Sequence, residues 1–128
     1  VGVGKTLLQA SYDRFLPICP RENIYVVTNE EHAQITQEQL PEMSRGQILT
    51  EPMRKNTAPC ILYACHVIYK HNPEAVIVVS PSDHLILGEQ DFQQTILKCY
   101  DRAKDQDKLI TLGIKPTRPE TGYGYIQY

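Results

Sequence analysis

No apolar run in this sequence approaches the roughly 20 residues that a bilayer-spanning helix needs, so none of it reads as a membrane segment. Charge of one sign is missing as well: 13 Lys and Arg stand against 15 Asp and Glu, a net of −2. That balance leaves no electrostatic footprint for nucleic acid or for an acidic membrane surface. The start has no basic stretch followed by an apolar one, so it does not read as a secretory signal. Metal-site spacing is absent too. Cys19, Cys60, Cys65 and Cys99 contain no C-x-x-C pair, and the four histidines show no ligand spacing. Cys60, Cys65 and Cys99 fall inside apolar helical stretches and read as small buried hydrophobes in a reducing cytosol. His66 and His71 read as ordinary helix residues.

What is there suits one α/β domain. The 128 residues are 41% apolar, enough for a core. Helical periodicity runs through "KTLLQASYDRFLPICP", "EEHAQITQEQL", "NTAPCILYACHVIYKHN" and "DFQQTILKCYDRAKDQD". In the third, Ile61, Ala64, Cys65 and Ile68 repeat at helical spacing, with Asn56 and Thr57 as capping candidates and Pro59 in the first turn. In the fourth, Phe92, Ile96, Cys99, Tyr100 and Ala103 share one side. Between the helices lie strand-like runs: "ENIYVVTN" (Glu22–Asn29), "QILTEP", "AVIVVSP" (Ala75–Pro81), "KLITLGIKP" and "GYGYIQY". The order α-β-α-β-α-β-α-β-β predicts a mainly parallel sheet with helices on both faces and right-handed crossovers. The third run has five consecutive apolar residues and reads as the strongest strand, covered on both faces. Both ends read as unfinished, the first in a loop and the last in a strand, as expected of an internal fragment.

In parallel sheets ligands bind beyond the carboxyl ends of the strands. Three such ends carry chemistry-bearing residues. "SPSDHLI" puts Asp83 past the strongest strand, where a carboxylate either holds a hard cation or caps the next turn. "EPMRKNTAP" puts Glu51, Arg54, Lys55, Asn56 and Thr57 between strand and helix. These either read a nucleobase and phosphate or serve as caps and solvated charge. "KPTRPETGYGYIQY" flanks Tyr123 with glycines, either for close backbone approach to a sugar or for a simple turn. The opening "VGVGKT" has the tail of a phosphate-binding loop, but no strand precedes it. It reads as a glycine-rich turn feeding a helix, with Thr6 near the N-cap.

Taken together, "ENIYVVTNEEH", "EPMRKNTAP", "VVSPSDHLI" and "LITLGIKPTRPETGYGYI" resemble the mannose-1-phosphate guanylyltransferases (GDP-mannose pyrophosphorylases) of the longer bacterial type, within the sugar nucleotidyltransferases. The likeness runs from "KTLLQ" to the last residue, and "VGVGKTLLQASYDRF" is similar to the family's G-x-x-S-L-L-Q-x-T-x-x-R segment. It implies a three-layer αβα Rossmann-like (GT-A-like) nucleotidyltransferase domain, truncated at both ends. It implies Mg²⁺-dependent joining of GTP and mannose 1-phosphate into GDP-mannose and pyrophosphate in the cytoplasm, with no nucleic-acid or membrane partner. By that likeness Asp83 is the catalytic, metal-binding carboxylate. Glu51, Asn56, Thr57 and Ala58 form the guanine-side loop, and Glu120, Gly122 and Tyr123 the sugar loop. Lys55 stands where the family usually has Arg, and Cys60 where it has Ala. The glycine-rich signature G-G-x-G-x-R-L-W-P is not in these residues, so they are expected to be inactive alone. The central first strand is missing with it, so "IYVVTN" and "AVIVVSP" are expected to lose a shared neighbour. Another base or sugar, a non-catalytic nucleotide-sugar-binding relative, and homo-oligomerisation are left open by the sequence.

Overall fold

The computed structural model describes residues 4–53, 56–106, 108–122 and 124. All four helical stretches form. Helix α1 spans Leu7–Phe15. Thr6 caps it: its hydroxyl accepts from Gln9 N, while Gln9 Oε1 accepts from Thr6 N, so two otherwise orphaned donors are satisfied reciprocally. Lys5 donates to the Asp13 carboxylate of the same helix, and that bond raises its pKa. The glycine-lysine-threonine tail is thus a helix entrance whose lysine is already engaged.

A 3₁₀ turn at Arg21–Asn23 leads into strand β1, Val26–Thr28. The strand is shorter than the run that predicts it because the turn consumes its first residues. Helix α2, Glu30–Gln39, is capped by Asn29, whose side chain accepts from His32 N, and carries Glu30 and Glu31 where the helix dipole favours negative charge. It ends before Pro41. A second 3₁₀ turn, Arg45–Gln47, delivers strand β2, Ile48–Thr50. The two strands pair in parallel, with Val26 beside Ile48, Val27 beside Leu49 and Thr28 beside Thr50. Helix α2 is the crossover and lies against β2.

Gln47 sets how this unit closes. Its side chain is buried, yet its amide donates to both Arg21 O (2.8 Å) and Ile24 O (2.9 Å), and its oxygen accepts from Ser44 N. The start of β2 is thereby fastened to the approach of β1. The core cluster, Tyr12, Leu40 and Met43 with Leu8, Leu16, Ile24 and Val26 against it, joins α1, the end of α2 and one side of β1. Gln9 Nε2 and Thr6 Oγ1 reach the last residue of α2, Gln39, and stitch the two helices from outside.

Helix α3, Thr57–His71, ends at Asn72-Pro73 with Lys70 and His71 in its last turn, where cations suit the dipole. Helix α4, Glu89–Gln106, packs against α1 through an edge-to-face pair of Phe15 and Phe92 at 5.8 Å. Its non-exposed stripe is the predicted one, with Ile96 buried at its centre. The cysteines are free and half-buried, not fully buried.

Two strand expectations are corrected. Residues 75–81 and 108–116 form no strand, and among the described residues β1 and β2 make the whole sheet. A strand is a pairing, and apolar content cannot create one without a neighbour to supply donors and acceptors. Direct pairing of β1 with the run at 75–81 does not occur either: β1 takes β2. Val79 is 55% exposed and Leu109 fully exposed, where burial had been expected. The run at 122–128 lies almost wholly outside the described residues.

Candidate functional site

The carboxyl ends of β1 and β2 sit side by side. Glu51 N donates to Thr28 O at 2.9 Å, carrying the ladder one residue past Thr50. That bond fixes Glu51, which is half-buried, at the edge of the sheet. Burial first, and then the Glu51 charge, push the Cys60 thiol in the first turn of α3 above its ordinary range. Arg54 and Lys55 lie outside the described residues.

Asn56 precedes α3 at φ 66° and ψ −173°, a conformation that L residues rarely adopt. Its side chain makes no capping bond. The sequence offers Asn56 as a cap, but the backbone turns it away from that role. The first-turn N–H groups of Thr57 and Ala58 thus find no acceptor on the Asn56 side chain, and both residues are exposed. A helix start not capped by its own preceding side chain suits an acceptor on a bound molecule.

Asp83 is exposed, and its carboxylate has neither a hydrogen bond nor an ion pair among the described residues. The peptide chain on both sides of it is held by α1. Ser11 Oγ donates to Ser82 O at 3.2 Å, and Arg14 Nη2 donates to His84 O at 3.4 Å. Asp83 does not cap the turn that follows it. The described residues contain no cluster of three or more His, Cys, Asp or Glu that could enclose a metal. A cation here would take one protein carboxylate and draw its other oxygens from elsewhere, an arrangement typical of Mg²⁺ with phosphates.

In the third loop, Gly122 N donates to Glu120 Oε1 at 3.3 Å, and Glu120 also pairs with Arg118 at 3.5 Å. Glu120 therefore shapes the loop, and the Gly122 N–H is engaged within it. Tyr123 lies outside the described residues. An apolar cleft of about 350 Å³ opens between α3 and residues 72–77, lined by Leu62, Cys65, His66, Tyr69 and Ile77 among others. None of the predicted site residues lines it.

Ser11 and Arg14 were not singled out from the sequence. The signal was present: with Leu7 they fall at i, i+4 and i+7, a core spacing occupied by polar groups. A serine and an arginine on a stripe that should be apolar need buried partners, and the partners are the carbonyls flanking Asp83.

The whole chain, residues 1–128, matches the family model described as nucleotidyl transferase. It is 42% identical over 124 residues to the xanthan biosynthesis protein XanB of Xanthomonas campestris pv. campestris, covering 95% of this chain and 26% of that protein. It is 40% identical over 125 residues to the mannose-1-phosphate guanylyltransferase of Salmonella montevideo, covering 96% of this chain and 26% of that one. With the mannose-1-phosphate guanylyltransferase of Escherichia coli K12 it shares 38% over 110 residues, 83% of this chain and 23% of the other. The chain thus spans about a quarter of the length of the curated relatives it matches.

Proposed function

Because the chain belongs to the nucleotidyl transferase family, we propose that the protein carrying it transfers a guanylyl group from GTP to mannose 1-phosphate, yielding GDP-mannose and pyrophosphate. The observation that carries this reading is identity of about 40%, over nearly the whole chain, to relatives that bear that name. The three loops support it chemically.

Asp83 is the residue that would hold Mg²⁺. Its free, exposed carboxylate on a main chain anchored from both sides fits a hard cation. When bound, the ion neutralises charge that develops on the phosphoryl oxygens. The chain's own contribution is positioning. Thr57 and Ala58 offer backbone donors that suit the O6 acceptor of guanine, where adenine presents an amino group instead. Asn56 and Glu51 stand beside them with further acceptors for the base. Glu120, by holding Gly122, gives the sugar loop a fixed shape against which mannose hydroxyls would be read, together with Tyr123. No covalent nucleophile is needed, since a phosphate oxygen of the sugar phosphate attacks directly.

The test is pyrophosphate release by the intact protein from mannose 1-phosphate with GTP, ATP, UTP or dTTP, in the presence of Mg²⁺. Release that requires GTP and mannose 1-phosphate is expected. Equal or greater release with another nucleotide or another sugar 1-phosphate would reassign the substrates within the family. No release with any pair from folded protein would replace the enzyme reading with a nucleotide-sugar-binding one.

A further inference from the structure

We propose that Arg14 and Ser11 are positioning residues for Asp83: from α1 they fix the main chain of residues 82–84, and with it the place of the Asp83 carboxylate. The inference rests on the metal-holding role proposed for Asp83.

Arg14 is 2% exposed and has the largest fully buried side chain among the described residues. Its bonding does not repay that burial. Nε and Nη1 have no hydrogen-bond partner among the described residues, and Glu89 Oε1 stands 3.7 Å from Nε. A buried guanidinium so thinly paired is a poor device for stability, because apolar side chains of its volume pack without the desolvation cost. What it does provide is reach. Its Nη2 holds His84 O, its guanidinium lies over the Phe92 ring at 5.8 Å, and its own carbonyl accepts from Gln93 Nε2 at 3.0 Å. One residue thus grips both ends of the connection from 82 into α4. Ser11, one turn earlier, holds Ser82 O. Asp83 lies between the two held carbonyls, while residues 75–81 before it have no strand partner among the described residues. Among the described residues, α1 supplies the side-chain bonds on either side of Asp83.

Groups that orient a metal ligand are typically worth about 10–100-fold in metal affinity or activity. The test takes Arg14→Met, Arg14→Lys and Ser11→Ala in the intact protein, with Asp83→Asn as reference. Three quantities are read: the position and B-factors of residues 82–84 in crystal structures of the variants, Mn²⁺ binding by electron paramagnetic resonance, and kcat and KM separately. In Arg14→Met, B-factors at 82–84 relative to those of α2 are expected to rise about twofold. Mn²⁺ binding is expected to weaken, and kcat to fall, by about 10-fold or more, with KM for the nucleotide within about twofold. Arg14→Lys keeps the charge but loses the planar fork and should fall between. Ser11→Ala should shift each quantity less, in the same direction, and it decides the matter if Arg14→Met does not fold. Residues 82–84 unmoved and as well ordered as in the wild type, in folded variants, overturn the proposal. Loosened residues 82–84 with Mn²⁺ affinity and kcat at wild-type values overturn it too, leaving a purely structural role. If Asp83→Asn binds Mn²⁺ as wild type does, the fault lies in the role given to Asp83, and the variant structures alone decide whether α1 holds the loop.

Discussion

Asn56 shows how far a residue's type can be read and where its conformation takes over. Asparagine is a good cap and also tolerates positive φ better than most residues. The sequence contains both options, and only the path of the chain selects between them. At φ 66° and ψ −173° the side chain caps nothing, and the conformation costs a non-glycine residue about 1–3 kcal/mol. Asn56→Gly is therefore expected to raise unfolding free energy in urea by about 1 kcal/mol. It should also raise KM for the nucleotide, since the loop loses a side chain beside the proposed base site. A loss of stability in that variant would show that the backbone is not strained. Tyr12 makes a second case. Its hydroxyl is buried with no partner among the described residues, and burial raises its pKa above the ordinary 10.0. Below pH 10 the folded and unfolded chains both keep the proton, so the shift changes nothing. Above pH 10 the unfolded chain releases it first, so stability declines as pH climbs toward the folded value. Tyr12→Phe removes both penalties. It should gain about 1 kcal/mol at neutral pH, with a margin over wild type that widens above pH 10 in denaturant titrations.

At the scale of elements, helices were legible and strands only partly so. The helices carry their instructions locally. Thr6 with Gln9, Asn29 before Glu30 and Glu31, and Asn72-Pro73 mark ends within a few residues of the stretches they bound. A strand depends on a partner far along the chain, which no local pattern can guarantee. Val26–Thr28 and Ile48–Thr50 pair because α2 folds back between them and Gln47 fastens their approaches together. "AVIVVSP" has the stronger strand pattern and no partner among the described residues. Gln47 is thus the fastening on which the parallel pair of β1 and β2 depends, and it was invisible to periodicity because it sits in a turn. Gln47→Ala would remove the side-chain donor from the Ile24 carbonyl, leave Arg21 O with its bond from Ile24 N alone, and take the acceptor from Ser44 N. It is expected to cost about 2–3 kcal/mol in unfolding free energy. Exchange protection should fall first in β1 and β2, while α4 holds its protection longer. A cost below about 0.5 kcal/mol, the range of an ordinary surface substitution, would remove Gln47 from that role.

For the whole molecule, the fold class was legible because alternating patterns and short connections imply a parallel α/β arrangement, and the family match agrees with it. For the candidate site the sequence names three loops but not what supports them: nothing local to "SPSDH" announces that α1 bonds to the chain on both sides of Asp83. The core is thin. Among the described residues only Tyr12, Leu40, Met43, Leu49 and Ile96 are buried hydrophobics, while Leu62, Val79, Leu87, Leu109 and Ile114 stand exposed. Single exposed apolar side chains are ordinary, but here they concentrate along runs 75–79 and 109–114, whose backbone has no ladder partner in the described residues. Unpaired apolar backbone is a template for edge-to-edge association. Residues 1–128 produced alone are therefore expected to bind 8-anilinonaphthalene-1-sulfonate strongly and to self-associate as concentration rises, measured by fluorescence and by sedimentation. Asp substitutions at Val79 and Ile114 should lower both signals, because they place charge on the two exposed runs without touching the buried cluster around Tyr12. A monodisperse monomer with no dye binding would mean that these runs are covered in solution, and the account of why they fail to form strands would then have to be abandoned.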